Sequence, residues 1–259
     1  MSDGARGEGA AGKGSASAAG GPAMSAVIVG GSSGIGAATA RLLAADGFAV
    51  YLIARREEAL RQLTAEIGGT FTTADMTDPA ACERVLADLP APVGVAIYAA
   101  GALGEIASVA ELSLEAWEHA LAVNLTGAFL FARGIAPKLE PGSRVFFLSS
   151  VAANKGQPRQ AAYAASKAGL SRFAESFAAE MEPHGVAVHI VSPGPVATPM
   201  LDIPETSPFQ LDAEQVADVI CHLAHLPRDV VVRDIDLRAA VRGPFARRRH
   251  DESGKPRTD

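Results

Sequence analysis

Short apolar runs alternate with helix-patterned segments along most of this chain, and that alternation restricts the fold more than any other feature. Ala26–Val29, Ala49–Ile53, Phe71–Ala74, Val93–Ala99, Arg144–Leu148, Val186–Val191 and Val230–Leu237 read as strands. Gly34–Ala45, Glu57–Ile67, Pro79–Leu89, Leu114–Ala136, Gln160–Met181 and Ala213–Ala224 read as helices between them. The clearest strand, Val93–Ala99, lacks polar alternation, as expected when helices cover both faces of a sheet. A βαβα order of this kind predicts an α/β fold: one doubly wound parallel sheet of about seven strands in a single domain. Right-handed crossovers place the strand C-termini, and the loops after them, along one edge. With 259 residues, 48% of them hydrophobic, the chain can bury a core of that size.

The residues with chemical potential fall on that edge. After the first strand comes Gly30-Gly31-Ser32-Ser33-Gly34-Ile35-Gly36. Glycines between a strand and a helix allow a tight turn, close backbone approach to a diphosphate, and tight helix packing. The helix N-terminus adds free N–H groups and a positive dipole end, and Ser32 and Ser33 add hydroxyls. About twenty residues on, an NAD site usually has a carboxylate for the ribose; here the stretch is Ala54-Arg55-Arg56. A guanidinium suits the 2′-phosphate of NADP, so NADP(H) is expected, with Arg55 the main contact and Arg56 beside it. The bland alternative is a pair of solvated charges at a helix start.

Tyr163 and Lys167 are four residues apart near the start of a helix and share one face. A free phenol, with a pKa near 10, is a poor acid or base at neutral pH. A nearby ammonium, together with an oxidised nicotinamide, would favour phenolate and lower that value. Ser150 lies thirteen residues earlier, after the fifth strand. Its neighbour Ser149 could face the site instead.

The remaining composition excludes more than it assigns. A net charge of −6 gives no overall attraction to nucleic acid or an anionic membrane. No uninterrupted apolar run reaches the ~18 residues of a membrane span. Residues 1–23, rich in Gly, Ala and Ser, read as a disordered leader, and 241–259 as a loose tail. Cys82 and Cys221 lack metal or redox spacing and read as reduced packing residues of a cytoplasmic protein. His222 and His225 have a spacing that can bind a metal but no evident carboxylate partner, so no metal is expected.

Taken in order, Gly30-x-x-x-Gly34-Ile35-Gly36, Asp75, Asn124, Ser150, Tyr163-x-x-Ser166-Lys167 and Pro193-Gly194-x-Val196-x-Thr198 resemble the short-chain dehydrogenase/reductase family over roughly residues 24–238. The resemblance implies a Rossmann-like fold and hydride transfer between a nicotinamide and a carbonyl or alcohol. It implies Tyr163 as general acid/base and Lys167 as its neighbour on the nicotinamide ribose. Ser150 would polarise the substrate oxygen, and Asn124 would hold a water linking Lys167 to solvent. Asp75, with the Met76 backbone, would receive the adenine amino group. Pro193, Gly194, Val196 and Thr198 would close over the nicotinamide. A homodimer or homotetramer through helices 114–136 and 160–181 is also implied.

Two positions depart from the family pattern. Tyr98-Ala99-Ala100-Gly101 stands where Asn-Asn-Ala-Gly is usual, although Ala100 and Gly101 still allow close approach to the cofactor. Val29 stands where a threonine often ties down the glycine loop. Segment 199–210 carries Met200, Leu201, Ile203 and Phe209 among three prolines and reads as an apolar substrate lid or as a core edge. The expectation is an NADPH-dependent reductase of an apolar ketone or ketoacyl group. Its rivals are an NADP-linked alcohol dehydrogenase and a non-catalytic NADP-binding sensor or scaffold.

Overall fold

The computed structural model describes residues 24–200 and 210–240. The expected leader and tail, and lid residues Leu201, Ile203 and Phe209, lie outside them. Seven parallel strands form the central sheet: β1 (Ser25–Val29), β2 (Ala49–Ala54), β3 (Thr70–Thr73), β4 (Val93–Tyr98), β5 (Leu139–Leu148), β6 (Ala187–Pro193) and β9 (Asp234–Leu237), in the order β3-β2-β1-β4-β5-β6-β9. Two short strands, β7 (Val196–Ala197) and β8 (Leu211–Asp212), pair with each other. The order reverses between β1 and β4, which opens the crevice where doubly wound sheets bind ligands.

Alternate strand residues feed two cores. Val27 and Val29 pack with Phe131, Phe147 and Leu170 on one face, while Ala26 and Ile28 pack with Leu43, Leu60 and Ile220 on the other. The first face is covered by α3 (Pro79–Ala87), α5 (Gly127–Ile135) and α6 (Ala161–Met181); the second by α1 (Gly34–Ala45), α2 (Glu57–Ile67) and α7 (Ala213–Ala224). Fully burying one such side chain contributes about 1.5–3 kcal/mol. Double coverage explains the uninterrupted apolar character of β1 and β4. The edge strands β3 and β9 are partly exposed.

The expected helix Leu114–Ala136 is not regular. It runs as α4 (Leu114–Leu121), a π-helical turn (Ala122–Thr126), α5, and a 3-10 turn (Ala136–Lys138). As one continuous stretch, Leu114–Lys138 has the length and mean hydropathy of a membrane span, although it contains no uninterrupted apolar run of that length. It packs here as a core helix against α3 and α6.

The last strand starts at Asp234 and not at Val230. Carbonyls of the preceding loop are engaged elsewhere: the buried Arg144 guanidinium donates to those of Leu226, Pro227 and Val230, and His189 Nδ1 donates to that of Val232. His189 also stacks on Phe146, and burial pushes its pKa down to about 4, so the imidazole is neutral. Cys82 and Cys221 are buried thiols, pushed up to about 11 and about 12 by desolvation.

Candidate active site

The glycine loop is shaped by contacts that no side chain would survive. A Cβ at Gly30, whose φ is +82°, would lie 2.5 Å from the Ala100 nitrogen, and one at Gly36 would lie 2.5 Å from the Gly30 carbonyl oxygen. The loop therefore sits directly on the Ala99-Ala100 turn, and α1 sits directly on the loop. Thr198 reaches the same place from beyond β6, since a Cβ at Gly34 would come within 3.0 Å of its methyl group. Gly194 follows Pro193 at the end of β6 and donates its N–H to the Leu237 carbonyl at 2.7 Å. Val29, in the place of the usual threonine, is a buried sheet residue.

The two arginines after β2 diverge. Arg56 turns back to the loop and donates to the hydroxyls of Ser32 and Ser33. Arg55 lies 3.8 Å from an Asp75 carboxylate oxygen. The sequence reading puts Arg55 first, but in the structure it is Arg56 that contacts the glycine loop. Asp75 accepts from the Thr77 N–H and hydroxyl at 2.9 and 2.8 Å. Burial would raise its pKa, but those two bonds and the Arg55 charge outweigh it and keep the carboxylate ionised. Met76 is buried beside it.

Ser150, Tyr163, Lys167 and Asn124 are brought together from three directions: the end of β5, the first turns of α6, and the π-helical turn. Ser149 is not the site serine, because its hydroxyl is bonded to Ser171 and to the Lys167 carbonyl. Ser150 caps the following turn by accepting from Ala152 N–H, and its hydroxyl acts on the Tyr163 phenol in the direction that favours phenolate. Lys167 is buried, donates to the Leu148 carbonyl at 2.7 Å, and has its pKa pushed down to about 8 by desolvation. Its ammonium lies 5.9 Å from the centre of the Tyr163 ring. Burial raises the Tyr163 pKa and the Ser150 hydroxyl only partly opposes this; the lowered value expected from the sequence includes the charge of an oxidised nicotinamide.

Asn124 is fully buried. Its amide accepts from Ala102 N–H at 2.9 Å and donates to the Ala102 carbonyl and to Ser166 Oγ. Asn124 thus fastens the loop after β4 to α6. A Cβ at Gly101 would stand 3.3 Å from Asn124 Oδ1, 3.3 Å from Met200 Cε and 3.5 Å from Lys167 Nζ. This bare backbone surface faces the ammonium.

One cavity of about 700 Å³ runs from Ser32, Arg55 and Arg56 past the glycine loop and Asp75 to Ser150, Tyr163 and Lys167. Its residues fit a nicotinamide dinucleotide: a phosphate cradle that a Cβ would fill, guanidinium groups at one end, and a buried ammonium at the other. Leu103, Val151, Gln157 and Met200 line its substrate end. Arg159 escaped the sequence reading. It holds φ at 65°, donates to the Ile106 carbonyl and accepts from Ala107 N–H, joining the two loops beside that end. Only backbone geometry reveals it, since arginine carries no signal for a left-handed conformation.

Among the described residues no group of three His, Cys, Asp or Glu side chains is placed to hold a metal. His225 does have a carboxylate nearby that its sequence neighbours do not reveal, Asp46 at 3.7 Å, and it packs edge-on against Phe48.

Comparison with known proteins agrees with this geometry. The family model described as short chain dehydrogenase matches residues 24–206. A Sphingomonas protein named 2-dehydro-3-deoxy-L-rhamnonate dehydrogenase (NAD(+)) is 35% identical over 183 residues, 68% of this chain and 74% of that protein. Momilactone A synthase of Oryza sativa subsp. japonica is 32% identical over 83% of this chain and 81% of its own. Among solved structures, BdcA in complex with NADPH superposes with a TM-score of 0.75 at 26% identity, covering 86% of this chain and 98% of that one. A variant of actinorhodin polyketide ketoreductase with NADPH gives 0.74 at 26% identity, covering 83% and 95%. The chain belongs to the short-chain dehydrogenase/reductase family, a family of oxidoreductases acting on CH–OH or carbonyl groups of small molecules.

Proposed function

We propose that this protein is an NADPH-dependent reductase of a ketone or ketoacyl carbonyl. The observation that carries the reading is the meeting of Ser150, Tyr163 and Lys167 in the same cavity as the glycine loop and Arg56, with Asn124 buried behind its Ala102 wall. NADPH, when bound, supplies the hydride. Ser150 orients the carbonyl oxygen by hydrogen bonding. Tyr163 donates its phenolic proton to that oxygen, and burial keeps the phenol protonated at neutral pH, as an acid requires. Lys167 holds the ribose end, and Asn124 fixes the loop against which Lys167 lies. Arg56 and Arg55 supply positive charge for a 2′-phosphate. Met200, Leu103 and Val151 favour an apolar group next to the carbonyl. The NADPH-bound relatives support this cofactor choice.

Oxidation of an alcohol is the second reading, favoured by the Sphingomonas relative named as an NAD(+) dehydrogenase. A homo-oligomer fits the outward faces of α4 and α5, where Leu114 and Phe129 are exposed. Fluorescence titration with NADPH and NADH, followed by a ketone screen with Tyr163→Phe as control, tests the proposal. Preferential NADPH binding and turnover lost in the variant are expected. Full activity in Tyr163→Phe would overturn the mechanism, and no binding of either nucleotide would favour a non-enzymatic role.

A further inference from the structure

Tyr98 stands where the family pattern has asparagine, and its side chain is fully buried at the end of β4. Its hydroxyl donates to the Val123 carbonyl at 2.7 Å. Val123 belongs to the π-helical turn Ala122–Thr126, where the ladder widens and the Gly127 N–H reaches back to the Ala122 carbonyl. A widened turn takes carbonyls away from their usual i+4 donors, and a buried carbonyl needs another partner. Tyr98 provides one. Burial pushes its phenol far above the usual value, so it remains a donor at any pH the protein meets.

A second observation points the same way. A Cβ at Gly127 would run into the Tyr98 hydroxyl and come within 3.0 Å of the Met76 carbonyl. Glycine at 127 is what lets the phenol lie between sheet and helix. The residue after Val123 is Asn124, whose amide grips both polar groups of the Ala102 backbone and Ser166. Its oxygen and the Lys167 ammonium converge on Gly101.

We propose that Tyr98, with Gly127, is a positioning residue for carbonyl reduction: its hydroxyl holds the π-helical turn in the register that sets Asn124 beside Lys167. This rests on the reductase function proposed above. In an ordinary α-helical path the same segment would rotate, and Asn124 would lose Ala102 and Ser166. The arrangement acts through Asn124 and does not require Tyr98 to touch substrate.

The test uses the full chain with Tyr98→Phe, Gly127→Ala and the double variant. Hydrogen exchange across 122–127 is read without substrate, and NADPH affinity, ketone KM and kcat are read with it. Tyr98→Phe is expected to speed exchange across 122–127 while leaving α1 protected and NADPH affinity unchanged. Its kcat should fall by about tenfold or more at unchanged ketone KM, the signature of misplaced catalytic groups. Gly127→Ala alone should disturb exchange more severely, and adding Tyr98→Phe should restore part of the protection by removing the clash. Wild-type exchange in Tyr98→Phe overturns the proposal; faster exchange with unchanged kcat also overturns it, leaving a purely structural contact. A wild-type chain that reduces no carbonyl with NADPH defeats the reductase reading itself, an outcome separate from an active wild type with an indifferent variant.

Discussion

Arg56 lies across the glycine loop and donates to Ser32 Oγ at 3.0 Å, while its neighbour Arg55 points away toward Asp75. Successive residues leaving a strand project to opposite sides, so the two arginines reach the cavity at different places. Arg56, bonded to the loop serines, is the arginine we assign as the main contact to a 2′-phosphate, with Arg55 the lesser one. Arg56→Ala should weaken NADPH binding by about ten- to a hundredfold, the effect of removing a hydrogen bond to a charged group. NADH binding should change little. Arg55→Ala should cost less, because its exposed pairing with Asp75 is weak. Titration with both nucleotides distinguishes these outcomes, and equal losses for NADPH and NADH would remove Arg56 from 2′-phosphate recognition.

The Ser150 hydroxyl opposes the effect of burial on Tyr163, which sets the sign of a pH experiment. Reduction needs the protonated phenol, so the rate should hold through neutral pH and fall only on the alkaline side. Ser150→Ala removes the interaction that favours phenolate. Its kcat should drop, and the alkaline limb should move to higher pH relative to wild type. Tyr163→Phe should lower kcat by about a hundred- to ten-thousandfold, the usual range for a general acid, with NADPH affinity retained. An alkaline limb moving downward in Ser150→Ala would show that Ser150 does not act on the phenol.

Much of this architecture was legible before any coordinates. Apolar runs without alternation gave the parallel sheet because β1 and β4 are covered on both faces, and the glycine spacing gave the loop because Gly30 and Gly36 permit contacts no other residue allows. The π-helical turn was not legible, since Leu114–Ala136 is apolar at helical spacing throughout and the turn depends on Tyr98, distant in sequence. The start of β9 is hidden for a similar reason: Val230–Val232 has strand composition, but Arg144 and His189 engage the carbonyls of that loop. The raised Tyr163 pKa reflects burial, which spacing between Tyr163 and Lys167 does not encode.

Arg144 makes a stability prediction away from the cavity. It is buried, donates to three loop carbonyls, and lies 3.2 Å from His189 Nε2. Ser150 lies six positions further along the chain, about 20 Å of extended backbone. Arg144→Leu would leave those carbonyls without their donor and free the loop before β9. Loss of about 1.5–3 kcal/mol is expected, the range for hydrogen bonds made by a charged group. NADPH affinity at permissive temperature should be retained. Thermal unfolding followed by circular dichroism measures the first, and an unchanged melting temperature would show that the Arg144 bonds do not hold the loop.

Lys167 places function and stability in opposition. Its ammonium is buried, with the pKa pushed from 10.5 to about 8. A lysine depressed in the folded state is charged more readily when unfolded, so between pH 8 and 10.5 the unfolded chain binds more protons. Stability from this group therefore rises with pH across that window, and below it the full desolvation penalty is present. Lys167→Met removes the penalty while keeping an aliphatic stem of similar length. The variant should melt at a higher temperature than wild type at pH 7, with the gap narrowing as pH approaches 10.5. Its carbonyl reduction should be lost over the same range. Melting curves at neutral and alkaline pH provide the measurement. A pH-independent difference would mean that the Leu148 hydrogen bond, and not the buried charge, dominates what Lys167 contributes to the fold.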